Sequence, residues 1–297
     1  MRMTLLFCLP VCVSILLGQG KSSGLGNLKL PSHAREAALA DGTVADPTSF
    51  SSFVLNPALL QYSLSPEFAV SHQQWIEGVQ SEFLSAAFPL SFGVIGVSLS
   101  STSLRGIELR DQPGPPLGTF SSRYGVIGLS GATSILGDVQ AGVTIKYLYE
   151  KIYIDEAEGW GLDLGLVTRT GLEGLSVAAS LRNIGSMAPL RAASTQLPAT
   201  FTGGASFQTI FDRDITACIV ASLSRELAIS STHATGGIEV AYAQLLMVRA
   251  GYASGYSARG FSAGIGFISL PLLFDYSFTP FSHALGSAHF VSLGVRL

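Results

Sequence analysis

Residues 139–150, Val-Gln-Ala-Gly-Val-Thr-Ile-Lys-Tyr-Leu-Tyr-Glu, decide the fold. Val139, Ala141, Val143, Ile145, Tyr147 and Tyr149 share one parity. Gln140, Gly142, Thr144, Lys146, Leu148 and Glu150 share the other. A period of two belongs to a strand, whose side chains alternate between faces. After residues 155–158, an Asp-Glu-Ala-Glu stretch read as an exposed loop tip, the pattern resumes. Trp160, Leu162, Leu164 and Leu166 oppose Gly161, Asp163, Gly165 and Val167. Past the Gly-containing turn 170–174, Leu175, Val177, Ala179 and Leu181 oppose Ser176, Ala178, Ser180 and Arg182.

Working outward, the same alternation predicts strands at 67–76, 80–89, 92–101, 122–132, 138–150, 159–169 and 174–183. It continues at 200–210, 214–224, 235–243, 246–254, 259–268, 272–280 and 288–297. The first three are less regular, and the pattern around Glu82 leaves its outward face open. That makes about fourteen strands, an even number, as single-chain bacterial barrels have.

The distribution of charge separates a membrane barrel from a soluble sandwich. On the regular strands the apolar face carries no charge, whereas the other carries Lys146, Glu150, Asp163, Arg169, Arg182, Glu239, Arg249, Asp275 and Arg296. A charge toward lipid costs about 2–4 kcal/mol at the midplane. The second face is otherwise Gly, Ser, Ala and Thr, which suits a narrow lumen better than a water-facing sheet. Lys146, Asp163, Arg182, Glu239, Arg249, Asp275 and Arg296 are therefore candidate lumen residues, expected to pair internally rather than to line a substrate path. Tyr147, Tyr149, Trp160, Tyr242 and Tyr252 would form an interfacial girdle. Charged residues are only 12% of the chain, about half the usual share of roughly 25%. The expected class is all-β, a transmembrane antiparallel barrel over residues 66–297.

Two segments precede the barrel. Residues 1–20 combine Arg2, an uncharged run from Thr4 to Leu17 and the small residues Gly18 and Gly20, as a cleavable secretory signal does. A transmembrane helix would need about 20 apolar residues. Removal of Arg2 leaves 16 basic and 20 acidic residues, net −4, with no basic cluster for nucleic acid. Only Cys218 then remains, so no internal disulfide can form. Residues 21–65 lack alternation and include a short helix candidate at 34–40. They end in Asn56-Pro57-Ala58, a turn motif in which the Asn56 amide can satisfy backbone groups and Pro57 restricts the chain. This segment is expected to act as a plug, inside the barrel or across its periplasmic mouth.

Catalytic signals are weak. Gly260-Phe261-Ser262-Ala263-Gly264 matches the nucleophile-elbow pattern, but that motif needs a strand-to-helix turn, and here it falls within a strand. His33, His72, His233, His283 and His289 are scattered without metal-ligand spacing. No enzyme activity and no cofactor are expected.

The Asn-Pro-Ala-Leu stretch before the first strand, residues 160–165, Leu181-Arg182-Asn183-Ile184-Gly185 and the ending Leu293-Gly294-Val295-Arg296-Leu297 resemble the PorV/PorQ family, outer-membrane barrels similar to FadL transporters. Two features depart from that family. Residues 37–46 lack paired glycines, and Leu297 replaces a terminal aromatic. The resemblance implies the outer membrane of a Gram-negative bacterium and a role in type IX protein export, with secretion components or exported proteins as partners besides outer-membrane lipid. The alternative is a FadL-like channel for hydrophobic small molecules. An apolar lumen pocket with a lateral gap would favour that channel.

Overall fold

In a computed structural model of the chain, residues 24–49, 51–191 and 193–297 are described. The expected signal sequence, residues 1–20, lies outside them. Fourteen antiparallel strands close into a barrel. These are β1 (Glu67–Gln74), β2 (Gln80–Leu90), β3 (Gly93–Leu109), β4 (Gly118–Leu136), β5 (Val139–Ile152), β6 (Asp155–Arg169) and β7 (Leu175–Met187). A small hairpin, β8 (Pro189–Leu190) and β9 (Ala193–Ser194), decorates the next connection. The wall continues as β10 (Thr200–Ile210), β11 (Ile215–Glu226), β12 (Ser231–Tyr242), β13 (Leu246–Ser254), β14 (Phe261–Ser269), β15 (Leu272–Pro280) and β16 (Ser287–Arg296). β1 pairs with β16, Glu67 opposite Arg296 and Gln74 opposite His289, which removes the free edge. No helix among the described residues is long and apolar enough to cross a membrane.

Alternation sets which face points where. Trp160, Tyr242 and Tyr252 are outward and more than half exposed, whereas Lys146, Asp163, Arg249 and Ser262 are buried inside. Glu82 points outward, hydrogen-bonded to His72 on the neighbouring strand at 2.6 Å. The rim that carries the β2–β3, β4–β5 and β14–β15 turns has short connections; residues 110–117, 188–199 and 255–260 form longer ones at the other rim. β3 to β6 extend beyond the strands expected there. Residues 155–158 are not a loop tip: they begin β6, and the turn is Tyr153 and Ile154 alone. The ladder with β5 continues through them, Ile152 opposite Asp155 and Tyr149 opposite Glu158. Glu156 accepts from Tyr149 and Lys151 on the outside, and Ala157 is buried on the inside.

The lumen is filled by the chain's own N-terminal segment. It starts at the rim of long connections, where the Gly24 amide donates to Gln196, and descends to Glu67 at the opposite rim. It therefore spans the height of the barrel rather than only one mouth. α1 (Ala34–Ala38) lies against β13 to β16, the 3-10 turn Thr43–Ala45 against β7, β10 and β11, and the 3-10 turn Pro57–Tyr62 against β3 to β6. This fit explains the glycines of the inner face. The small residues make room for the segment rather than for the opposite wall. A Cβ on Gly251 would meet the Ala38, Leu39 and Ala40 backbone within 2.8 Å, and one on Gly264 would meet Ala38 Cβ at 2.6 Å.

Gly251→Val should therefore unseat the segment at a cost on the order of 1–3 kcal/mol. Gly131→Val, with nothing within 4 Å of its added Cβ, should be neutral. The check is the temperature at which the folded band disappears on an unboiled gel, expected to fall for Gly251→Val only.

Candidate functional site in the barrel lumen

Strands β12, β13 and β15 assemble a charged patch on the inner wall. Glu239 on β12 stands directly opposite Arg249 on β13. Arg249 ion-pairs with that carboxylate and reaches across β14 to Asp275 on β15. Gly266 is the gap it crosses: a Cβ there would collide with the Arg249 guanidinium. The segment then adds the group that the wall lacks. Arg35 of α1 donates through Nε and Nη2 to the two oxygens of Glu239, at 2.9 Å each, and lies 2.8 Å from Asp46. Burial works against the Arg35 charge, and the flanking Glu239 and Asp46 carboxylates compensate it. Bidentate, charge-assisted geometry is what makes such a pair directional.

The segment is fixed at further points. Glu36 accepts hydroxyl hydrogen bonds from Ser49 (2.8 Å), Ser51 (2.5 Å) and Ser52 (3.0 Å). Asn56 caps the Pro57–Tyr62 turn by accepting from the Ala58 amide at 3.1 Å, and donates to the carbonyls of Val44 and Leu166. Pro57 and Ala58 press against the wall, where a Cβ on Gly142 would overlap them. Ser262 lies on β14, not at a strand-to-helix turn, and its hydroxyl donates to the Ala38 carbonyl at 3.0 Å.

The other candidate residues form separate sets. Lys146 lies 2.5 Å from Asp163 and donates to Asn183 at 2.9 Å. Asp163 in turn accepts from the Asn183 amide at a bulge where Arg182 and Asn183 together oppose one residue of β6. Arg296 pairs with Glu67 at the rim of short connections. Arg182 makes no ion pair among the described residues. It lines a cavity of about 480 Å³ between the segment and β7, β10, β11 and β12, together with Val44, Thr202, Ser222, His233 and Tyr256.

A closed fourteen-strand wall, a lumen occupied by the N-terminal segment and a cavity on the side of the long connections together describe a stoppered barrel. The chain is similar in structure to the CymD monoaromatic hydrocarbon channel (TM-score 0.62, 12% identity, covering 93% of this chain and 99% of that one). The two share one barrel fold. The chain is likewise similar to the Pseudomonas putida toluene transporter TodX (TM-score 0.54, 13% identity, 82% and 91% covered) and to a Pseudomonas aeruginosa FadL homologue (TM-score 0.51, 12% identity, 89% and 98% covered). No family model matches the sequence, and no curated protein does. Within this barrel, sequence reading missed Arg35, Glu36 and Asp46. The available signal was one Arg-Glu pair inside an Ala-rich stretch, charges that an internal helix can carry only with partners.

Arg35→Met should loosen the segment by about 3–5 kcal/mol, because it strands buried Asp46 without a cation. Adding Asp46→Asn should recover part of that loss. Protease cleavage within residues 24–60 of the folded barrel measures both, with the single variant cut fastest.

Proposed function

We propose that the chain is an outer-membrane channel for small, largely hydrophobic organic molecules, acting without catalysis and held closed by its N-terminal segment. One observation carries this reading: a segment of the same chain fills the lumen from rim to rim, tied to the wall by ion pairs and hydrogen bonds and packed against it through Leu39, Phe53, Leu59 and Leu60. The apolar contacts fall into separate small clusters, not one continuous core. The barrel's asymmetry fits an outer-membrane orientation, with short turns toward the periplasm and longer connections outside. The likeness to CymD and TodX, described as a hydrocarbon channel and a toluene transporter, supports a small-molecule cargo. The protein-export role implied by the PorV/PorQ resemblance finds no support among these structures. Ser262, whose hydroxyl is held by Ala38 on a flat strand, gives no footing to a hydrolase.

Uptake by whole cells tests the proposal. Bacteria lacking their own hydrocarbon channel and producing this chain should accumulate radiolabelled toluene faster than cells producing an unrelated barrel at equal level. Equal rates would contradict it.

A further inference from the structure

We propose that the cavity on the side of the long connections recognises compact, oxygen-bearing organic acids, with Arg182 taking the carboxylate. This rests on the channel reading and narrows its cargo. The charge balance of the cavity is the first argument. Lys29 is neutralised by Glu226 at 2.7 Å, and Asp41 by Arg259 at 2.8 Å. Arg182 is left over: among the described residues no carboxylate lies within ion-pairing distance, and its Nε is closed off from solvent without an acceptor. A half-buried guanidinium with one N–H closed off from water and no counter-ion carries a desolvation cost, which an anion in the cavity lowers.

Hydrogen-bonding supply is the second argument. Around the same space, Arg259 Nε and Nη2 and Thr202 Oγ1 are also buried without partners. The guanidinium nitrogens only donate, whereas Asp41 Oδ1, buried without a partner in the same lining, only accepts, so a carboxylate that also carries a hydroxyl meets both demands. The planar guanidinium fork suits a carboxylate in particular.

The shape of the walls sets the remainder of the ligand. β10 and β11 present Thr202, Ser222 and Ser224 to the cavity. On the adjoining strand β12, His233 stands beside Ser224, and the Tyr256 ring stacks on it, centroids 3.8 Å apart and planes 13° from parallel. A hydroxyl wall and a flat ring fit a compact, oxygenated skeleton. A long acyl chain would leave those hydroxyls facing hydrocarbon, at a cost. The volume of about 480 Å³ is in the range of small-molecule sites.

Calorimetry on the full-length barrel in nanodiscs tests this with three probes: 4-hydroxybenzoate, its methyl ester and myristate. The acid should bind best, and the ester about 10-fold or more weaker, as befits loss of a charge-assisted bond. Arg182→Gln should weaken the acid by a similar factor and leave the ester unchanged. Arg182→Lys should recover part of the loss, and Thr202→Val should cost a few-fold. Retention of the heat-modifiable folded band confirms that each variant is assembled. Absence of acid binding, equal affinity of acid and ester, tighter binding of myristate, or an unchanged Arg182→Gln would each overturn the proposal. Failure of toluene uptake with Arg182-dependent acid binding intact would overturn the hydrocarbon reading and leave this site standing. Toluene uptake without acid binding would do the reverse.

Discussion

Arg35 joins the N-terminal segment to the wall through both oxygens of Glu239, and the inner face is arranged around that contact. A membrane wall must pair every backbone polar group, which forces closure into a barrel. Closure creates an interior that carries Glu239, Arg249 and Asp275 on β12, β13 and β15. Those charges are tolerable only if they meet opposite charges at short range. The segment completes the set with Arg35 and Asp46, and the glycines of β13 and β14 let its backbone come close enough to do so. Removing the segment would therefore leave a lumen that is polar, incompletely paired and open to water.

The barrel was legible in the sequence because its physics is local. Each strand reports its two environments with a period of two, and the charges on Lys146, Asp163 and Arg249 mark the inner parity unambiguously. Where the environments converge, the signal fails. Residues 155–158 read as a loop because both parities carry polar or small groups once the strand leaves the apolar band, yet ladder hydrogen bonds continue. Glu82 resisted assignment for a related reason: an outward His72–Glu82 pair stands where lipid-facing strands normally show apolar residues.

The lumen contents were harder to read, since pairing there is between residues far apart in sequence. Arg35 and Glu239 are both visible in the sequence, but nothing local connects them. Asn56 is a partial exception. Its capping role follows from its place before Pro57, whereas its bond to the Leu166 carbonyl depends on the closed barrel. The inner glycines were recognised as space for a close approach, and the approaching body proved to be the segment. The result is a stopper with a polar seat and a mixed cavity beside it, a combination that suits amphipathic cargo better than a dry apolar tunnel does.

The central claim is that the segment, and not the wall, keeps the barrel shut. Single-channel conductance in a planar bilayer tests it most directly, comparing the full chain with one that lacks residues 21–54 and keeps the rest. Both proteins should assemble as barrels, with the shortened form opening a larger and more persistent ion conductance. Identical conductance for the two proteins would contradict it.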